Sequence, residues 1–208
     1  MQKLINQVKS LQKSDIKNII DKRILEFKAI PSKNENIIFD ELCFCLLTAN
    51  YNAQRAIQIQ KDIGAGFRKY SEPELAKQLK VLGHRFPNMR AKFIVEARKH
   101  KKDLIKLLKK NVDDTSVRLW LADNVKGLGY KESSHFLRNI GRDNCAIIDF
   151  HIIDILVDNK IIKPYKTLSK SAYLEIENVL YILAEKLNLT LAELDLYLWY
   201  LETGKILK

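Results

Sequence analysis

Lys131 and Asp149 are the residues of this sequence whose types and surroundings suit covalent chemistry. Lys131 closes the run Asp123-Asn124-Val125-Lys126-Gly127-Leu128-Gly129-Tyr130-Lys131, and Asp149 closes the apolar run Cys145-Ala146-Ile147-Ile148. A lysine at the first turn of a helix stands where the helix dipole disfavours positive charge, and an amine that has shed its proton is a nucleophile. A carboxylate brought beside it could orient the amine, accept its proton and stabilise cationic character developing on a sugar ring. Each residue also has a plainer reading. Lysines are usually solvated, and Asp149 is placed to cap a helix running from Phe150 onward; that cap is compatible with a catalytic role.

The turn before Lys131 has a function of its own. Gly127 and Gly129 flank one apolar residue, Leu128, between two helical patterns, which is a helix-hairpin-helix signature. Glycine there lets the backbone take positive φ and approach a partner closely, while the apolar residue plugs the space between the helices. Exposed N–H groups at the start of the second helix can hold a phosphate without reading sequence. An ordinary tight turn accounts for most Gly-x-Gly runs, so the charge balance matters: 36 Lys and Arg against 25 Asp and Glu leave a net +11. Such an excess favours polyanions, although composition alone does not separate DNA, RNA and anionic lipid. Turn and charge together point to DNA, with Lys126, Gly127 and Gly129 as expected contacts.

The elements that must position these groups read as helices throughout. Apolar residues recur at three- and four-residue spacing through Leu4, Val8 and Leu11, then Ile16, Ile19, Ile20, Ile24 and Phe27. A polar break at Pro31–Asn36 precedes the most apolar helix, expected over Phe39–Tyr51 and central to the fold. Ala53–Ile63 is expected to be helical and to end at Gly64 and Gly66. Ser71-Glu72-Pro73-Glu74 opens another helix, with a hydroxyl cap and acids at the positive dipole end. The spacing predicts one helix over Asn88–Leu108, carrying Lys92, Arg98, Lys99, Lys101 and Lys102 on its surface. Asp114–Asn124 and Tyr130–Ile140 form the hairpin, about residues 115–140. Cys145–Ile148 is strand-like, and helices resume over Ile152–Val157, Tyr173–Leu187 and Leu191–Leu201. With no sustained alternation, repeat or linker, the expected fold is all-α, a single domain over 1–208. Two lobes are expected, the N- and C-terminal helices forming one, with Lys131 and Asp149 lining the cleft between them.

Other chemistries find little support. Cys43, Cys45 and Cys145 lie among apolar neighbours and read as reduced core residues. His84, His100, His135 and His151 are scattered, so no metal site and no cofactor is expected, and no phosphate-binding Gly-rich loop ends in Lys-Ser/Thr. His135 shares a helix face with Lys131, but a buried structural role is at least as good a reading, which keeps it out of the catalytic set. Met1–Lys13 lacks the apolar core of a signal peptide, and no apolar run approaches a membrane span. A soluble, intracellular monomer, cytoplasmic or nucleoid-associated, is the expectation.

The pairing of Val125-Lys126-Gly127-Leu128-Gly129-Tyr130-Lys131 with Ala146-Ile147-Ile148-Asp149-Phe150-His151 resembles the helix-hairpin-helix/Gly-Pro-Asp superfamily of DNA glycosylases. The whole chain is similar to its short archaeal-type 8-oxoguanine DNA glycosylase/AP lyases. The similarity extends through Glu41–Asn50, Leu82–Phe86, Ser133–Asn139 and Leu194–Tyr200. This resemblance implies that Lys131 attacks the sugar C1′, expels the base and forms the Schiff base from which β-elimination nicks the strand. Asp149 matches the acid of the family motif. Trp199 and the terminal Lys208, with its carboxylate, match positions that enclose and recognise the extruded base. Arg85 and Phe86 fall where such enzymes contact DNA near the vacated stack. The implied partner is double-stranded DNA containing 8-oxoguanine, reached by flipping the nucleotide out of the duplex. The four-cysteine iron–sulfur pattern of some relatives is not present. One departure stands out: the family pattern has Arg after the catalytic acid, where this chain has Phe150. Rival readings are a glycosylase of the same superfamily acting on another damaged base and a non-catalytic hairpin module that only grips DNA.

Overall fold

Spacing and caps together dictate the elements, and the computed structural model is helical in every regular element among the residues it describes, 1–31, 34–110 and 112–208. Ser32 and Lys33, within the polar break read at Pro31–Asn36, and Asn111 lie outside them. The all-α class is as expected. The chain forms two compact units, one of residues 1–29 and 137–208, the other of residues 30–136.

The first unit begins with α1 (Gln2–Leu11) and α2 (Ile16–Lys28). The second is built on α3 (Glu35–Thr48), whose Cys43–Leu47 segment is wholly buried. Where the apolar pattern placed this helix at Phe39–Tyr51, it starts four residues earlier, because the Asn34 side chain accepts from the N–H groups of Asn36 and Ile37. It ends earlier too: Ala49 is extended and Asn50 takes φ 55°, so Tyr51 is outside. Then come α4 (Ala53–Ile63), closed at Gly64 as read from sequence, the short α5 (Gly66–Lys69), and α6 (Glu72–Val81). Ser71 and Glu74 form a reciprocal capping box at the start of α6.

The single helix expected over Asn88–Leu108 is interrupted. It becomes α7 (Pro87–Ala97), a 3-10 turn over Arg98–His100, and α8 (Lys101–Lys109). At the break, Arg98 donates from Nε to the Phe67 carbonyl at 2.9 Å and from a terminal nitrogen to the Tyr70 carbonyl at 2.7 Å. Arg98 therefore satisfies carbonyls at the end of α5 instead of serving as a free surface cation. In this unit α7 packs against α3, α5 and α6. The hairpin follows as α9 (Asp114–Asn124) and α10 (Tyr130–Asn139), the latter contributing its last residues to the first unit.

The first unit resumes with the run Cys145–Ile148, which is buried but is not a strand. Buried backbone outside any helix or sheet must find other partners. Here α12 (Lys170–Leu187) supplies them, after α11 (Phe150–Asp158): the Tyr173 hydroxyl donates to the Ala146 carbonyl at 2.7 Å and accepts from the Ile148 N–H at 3.3 Å, and the Glu177 carboxylate accepts from the Ala146 N–H at 2.8 Å. The last helix, α13 (Leu191–Thr203), packs on α1, α2, α11 and α12 and forms the centre of this unit. The three cysteines are buried thiols, outside any disulfide among the described residues.

Candidate active site

The hairpin turn is fixed by what it must pack against. Val125 and Leu128 are buried. Gly127 takes φ +93°, and a Cβ there would lie 2.3 Å from Cδ2 of Phe93 on α7, so backbone conformation and the neighbouring ring both demand glycine. Lys126 is exposed, its Nζ 5.9 Å from the Phe93 ring centroid. The Gly129 carbonyl accepts from the Ser133 N–H at 3.0 Å, which makes Gly129 the entry to α10.

Lys131 is thus the second residue of α10, where the dipole opposes its charge. Its Nζ lies 3.4 Å from Oε1 of Glu132. The other oxygen, Oε2, accepts from the Gly129 N–H, also at 3.4 Å. The two side chains keep only 27% and 16% of their surface exposed, so the pair is partly shielded from water. Glu132 was missed in the sequence, although an acid three residues after the helix entry is the residue that reaches back to the entry N–H. Nearby, the buried Arg90 donates to the Ala49 carbonyl, and its Nε has no hydrogen-bond partner among the described residues. Burial pushes the Arg90 guanidinium below its usual pKa, and the Glu132 charge opposes that shift. His135, one turn beyond Lys131, is buried with its ring edge-on to Phe44 at 5.5 Å.

Arg85 and Phe86 belong to the same unit, at the start of α7. The exposed Arg85 places its guanidinium carbon 5.0 Å from the Phe86 ring centroid. Their loop is held by His84. Its Nδ1 accepts from the Phe86 N–H at 3.1 Å, which leaves Nε2 to carry the proton and donate to the Leu47 carbonyl at 3.0 Å. Tyr51 stacks on this imidazole at 4.1 Å and donates from its hydroxyl to the Gly83 carbonyl at 3.0 Å. Burial, reinforced by the Arg90 charge, depresses the His84 pKa against the opposing pull of the Leu47 carbonyl.

In the first unit, Asp149 is the N-cap of α11, its side chain accepting from the Ile152 N–H at 3.1 Å. Phe150 follows, 66% exposed, with its ring 4.1 Å from that of His151. His151 in turn meets the Trp199 ring edge-on at 5.1 Å, and its Nδ1 lies 3.6 Å from the Glu202 carboxylate. The first turn of α11, headed by Asp149, is therefore in contact with the indole on α13. Trp199 is half-buried, and its Nε1 is buried with no hydrogen-bond partner among the described residues, so an indole donor is available. Thr203 donates to the Trp199 carbonyl at 2.7 Å, and the left-handed Gly204 turns the chain into the tail ending at the half-exposed Lys208. Among the described residues, no group of three or more His, Cys, Asp and Glu could hold a metal ion, and no helix is long and apolar enough to cross a membrane.

Comparison with known proteins bears on the whole chain. Residues 20–189 match the family described as 8-oxoguanine DNA glycosylase. The chain is 51% identical to the 8-oxoguanine DNA glycosylase/AP lyase of Methanocaldococcus jannaschii over 208 residues, 99% of both chains. It is 49% identical to that of Korarchaeum cryptofilum, over 99% of this chain and 98% of the relative. The crystal structure of the Methanocaldococcus jannaschii 8-oxoguanine glycosylase/lyase in complex with 15mer DNA containing 8-oxoguanine matches with a TM-score of 0.95 at 50% identity, over 99% of each chain. The chain belongs to the 8-oxoguanine DNA glycosylase family.

Proposed function

We propose that this protein excises 8-oxoguanine from double-stranded DNA and then cleaves the strand by β-elimination. The observation that carries this reading is the end-to-end likeness to a glycosylase/lyase crystallised with DNA containing 8-oxoguanine. The exposed Lys126 and the Gly127–Gly129 turn hold backbone phosphate, drawn by the net +11 of the chain. The target nucleotide leaves the stack, and Arg85 and Phe86 meet the duplex near the gap. Trp199 and Lys208 enclose the flipped base, which compensates for the few kcal/mol, roughly, lost on unstacking.

The Lys131 amine, once deprotonated, forms a bond to C1′ while the glycosidic bond breaks and its electron pair leaves with the base. Asp149 orients the amine, accepts its proton and stabilises cationic character on the sugar. Opening of the sugar ring then breaks the C1′–O4′ bond, O4′ taking a proton, and gives a Schiff base that acidifies the C2′ position; loss of that C2′ proton expels the 3′ phosphate. The chain works as one catalytic domain and as a monomer, in the cytoplasm at the nucleoid.

A panel of otherwise identical duplexes carrying 8-oxoguanine, thymine glycol or uracil tests the substrate. The 8-oxoguanine strand is the one expected to be cut. Cleavage of another lesion with 8-oxoguanine left intact overturns the assignment.

A further inference from the structure

The N–H that the hairpin would offer to a phosphate is bonded within the chain. Glu132 takes it with Oε2, and with Oε1 it takes Nζ of Lys131, the residue assigned to attack the sugar. One carboxylate therefore spans the grip on DNA and the nucleophile. We propose that Glu132 is a positioning residue that couples the two: it holds the Gly129 N–H and the Lys131 amine together until a backbone phosphate displaces Oε2, after which the carboxylate serves Lys131 alone. The inference rests on the reading of Lys131 as nucleophile and of the hairpin as a phosphate site.

Three features support it. The Gly129–Glu132 bond is long at 3.4 Å, so an incoming phosphate, with more charge and more oxygens, competes well for the same donor. Partial burial of both side chains strengthens the Lys131–Glu132 attraction beyond that of a solvated pair. Adjacent residues on a helix do not share a face, so this contact does not follow from helical spacing alone; the reach of Glu132 back to Gly129 carries its carboxylate to the entrance of α10, where Lys131 also lies. Arg90, whose charge Glu132 favours, remains bonded to the Ala49 carbonyl and does not neutralise the carboxylate by a direct ion pair among those described.

The competing explanation is that Glu132 merely caps α10, and the variant Glu132→Gln separates the two. The amide oxygen of glutamine still accepts from the Gly129 N–H, so a capping role alone predicts no change. Positioning predicts a split: in single-turnover assays at saturating protein, excision slows about tenfold because the amine is no longer held in line. At the same time, Kd for duplex DNA stays level or tightens by about two- to fivefold, because a charge that competes with phosphate has gone. The thermal midpoint should stay near that of the unaltered protein. Glu132→Ala, which loses cap and charge together, should add a fall in the midpoint to the slower excision.

An unchanged saturating rate in Glu132→Gln overturns the proposal, as does a rate loss matched by weaker DNA binding and a lowered midpoint. Borohydride cross-linking of the unaltered protein to DNA is the separate check on the nucleophile: if that cross-link forms while Glu132→Gln behaves as the unaltered protein, Glu132 alone is misassigned. If no cross-link forms, the underlying reading fails.

Discussion

The starts of α10 and α11 carry the two groups assigned to catalysis, and they differ in what the backbone gains from them. Asp149 heads α11 as an acid at a positive dipole end and bonds to the Ile152 N–H, an arrangement that stabilises a helix whatever else the residue does. Lys131 is a cation in the first turn of α10, where the same dipole works against it, and it is accompanied by Glu132 at 3.4 Å. An acid at a helix start is thus weak evidence of function, because folding alone rewards it. A partly buried lysine there is stronger evidence, since the fold has to accommodate it.

That contrast predicts opposite patterns on substitution. Lys131→Gln should cut single-turnover excision by about 10³-fold or more while changing stability by no more than about 0.5 kcal/mol. Asp149→Asn, which keeps a capping oxygen, should lose about 10²- to 10³-fold in rate with little loss of stability. Asp149→Ala should add a stability loss of about 1 kcal/mol. Equal losses of stability at the two positions, measured by denaturant unfolding, would erase the contrast. The turn before α10 is tested by Gly127→Ala: positive φ and the approach of Phe93 should cost about 1–3 kcal/mol and weaken DNA binding.

A third helix start, that of α7, has no side-chain cap and depends on His84 for the Phe86 N–H. Because the folded pKa of His84 lies below the unfolded value, its contribution is fully present above about pH 6.5 and is lost as pH falls from there through the folded pKa. Protonating Nδ1 removes the acceptor for the Phe86 N–H. Thermal midpoints at pH 7.5 and 5.5 should therefore diverge more for the unaltered protein than for His84→Gln. The smallest effect is expected from Phe150→Arg, which places a cation on an exposed site at the start of α11. Stability should move by less than about 0.5 kcal/mol, while the slope of log K against log salt steepens by about 0.9.

What was legible in the sequence follows the range of the forces involved. The limits of α4, the capping box at Ser71 and the Gly127–Gly129 turn depend on residues close in the chain, and all could be read directly. The break at Arg98–His100 could not, because no Pro or Gly marks it and its partners are carbonyls of Phe67 and Tyr70, distant in sequence. Cys145–Ile148 looked like a strand for the same reason: its apolar side chains were evident, but the Tyr173 and Glu177 groups that satisfy its backbone come from α12. At the site, Lys131 and Asp149 stand out by type and spacing, whereas the contacts of Glu132 with the Gly129 N–H and the Lys131 amine depend on the shape of the turn and leave no comparable mark in the sequence.

The central claim is that the Lys131 amine becomes covalently joined to the sugar. The direct measurement is mass spectrometry of peptides after borohydride reduction of the protein with an 8-oxoguanine duplex, since reduction converts a Schiff base into a permanent amine link. The account predicts a single DNA-derived adduct on the peptide bearing Lys131. An adduct on another lysine, or strand cleavage with no adduct at all, would contradict it.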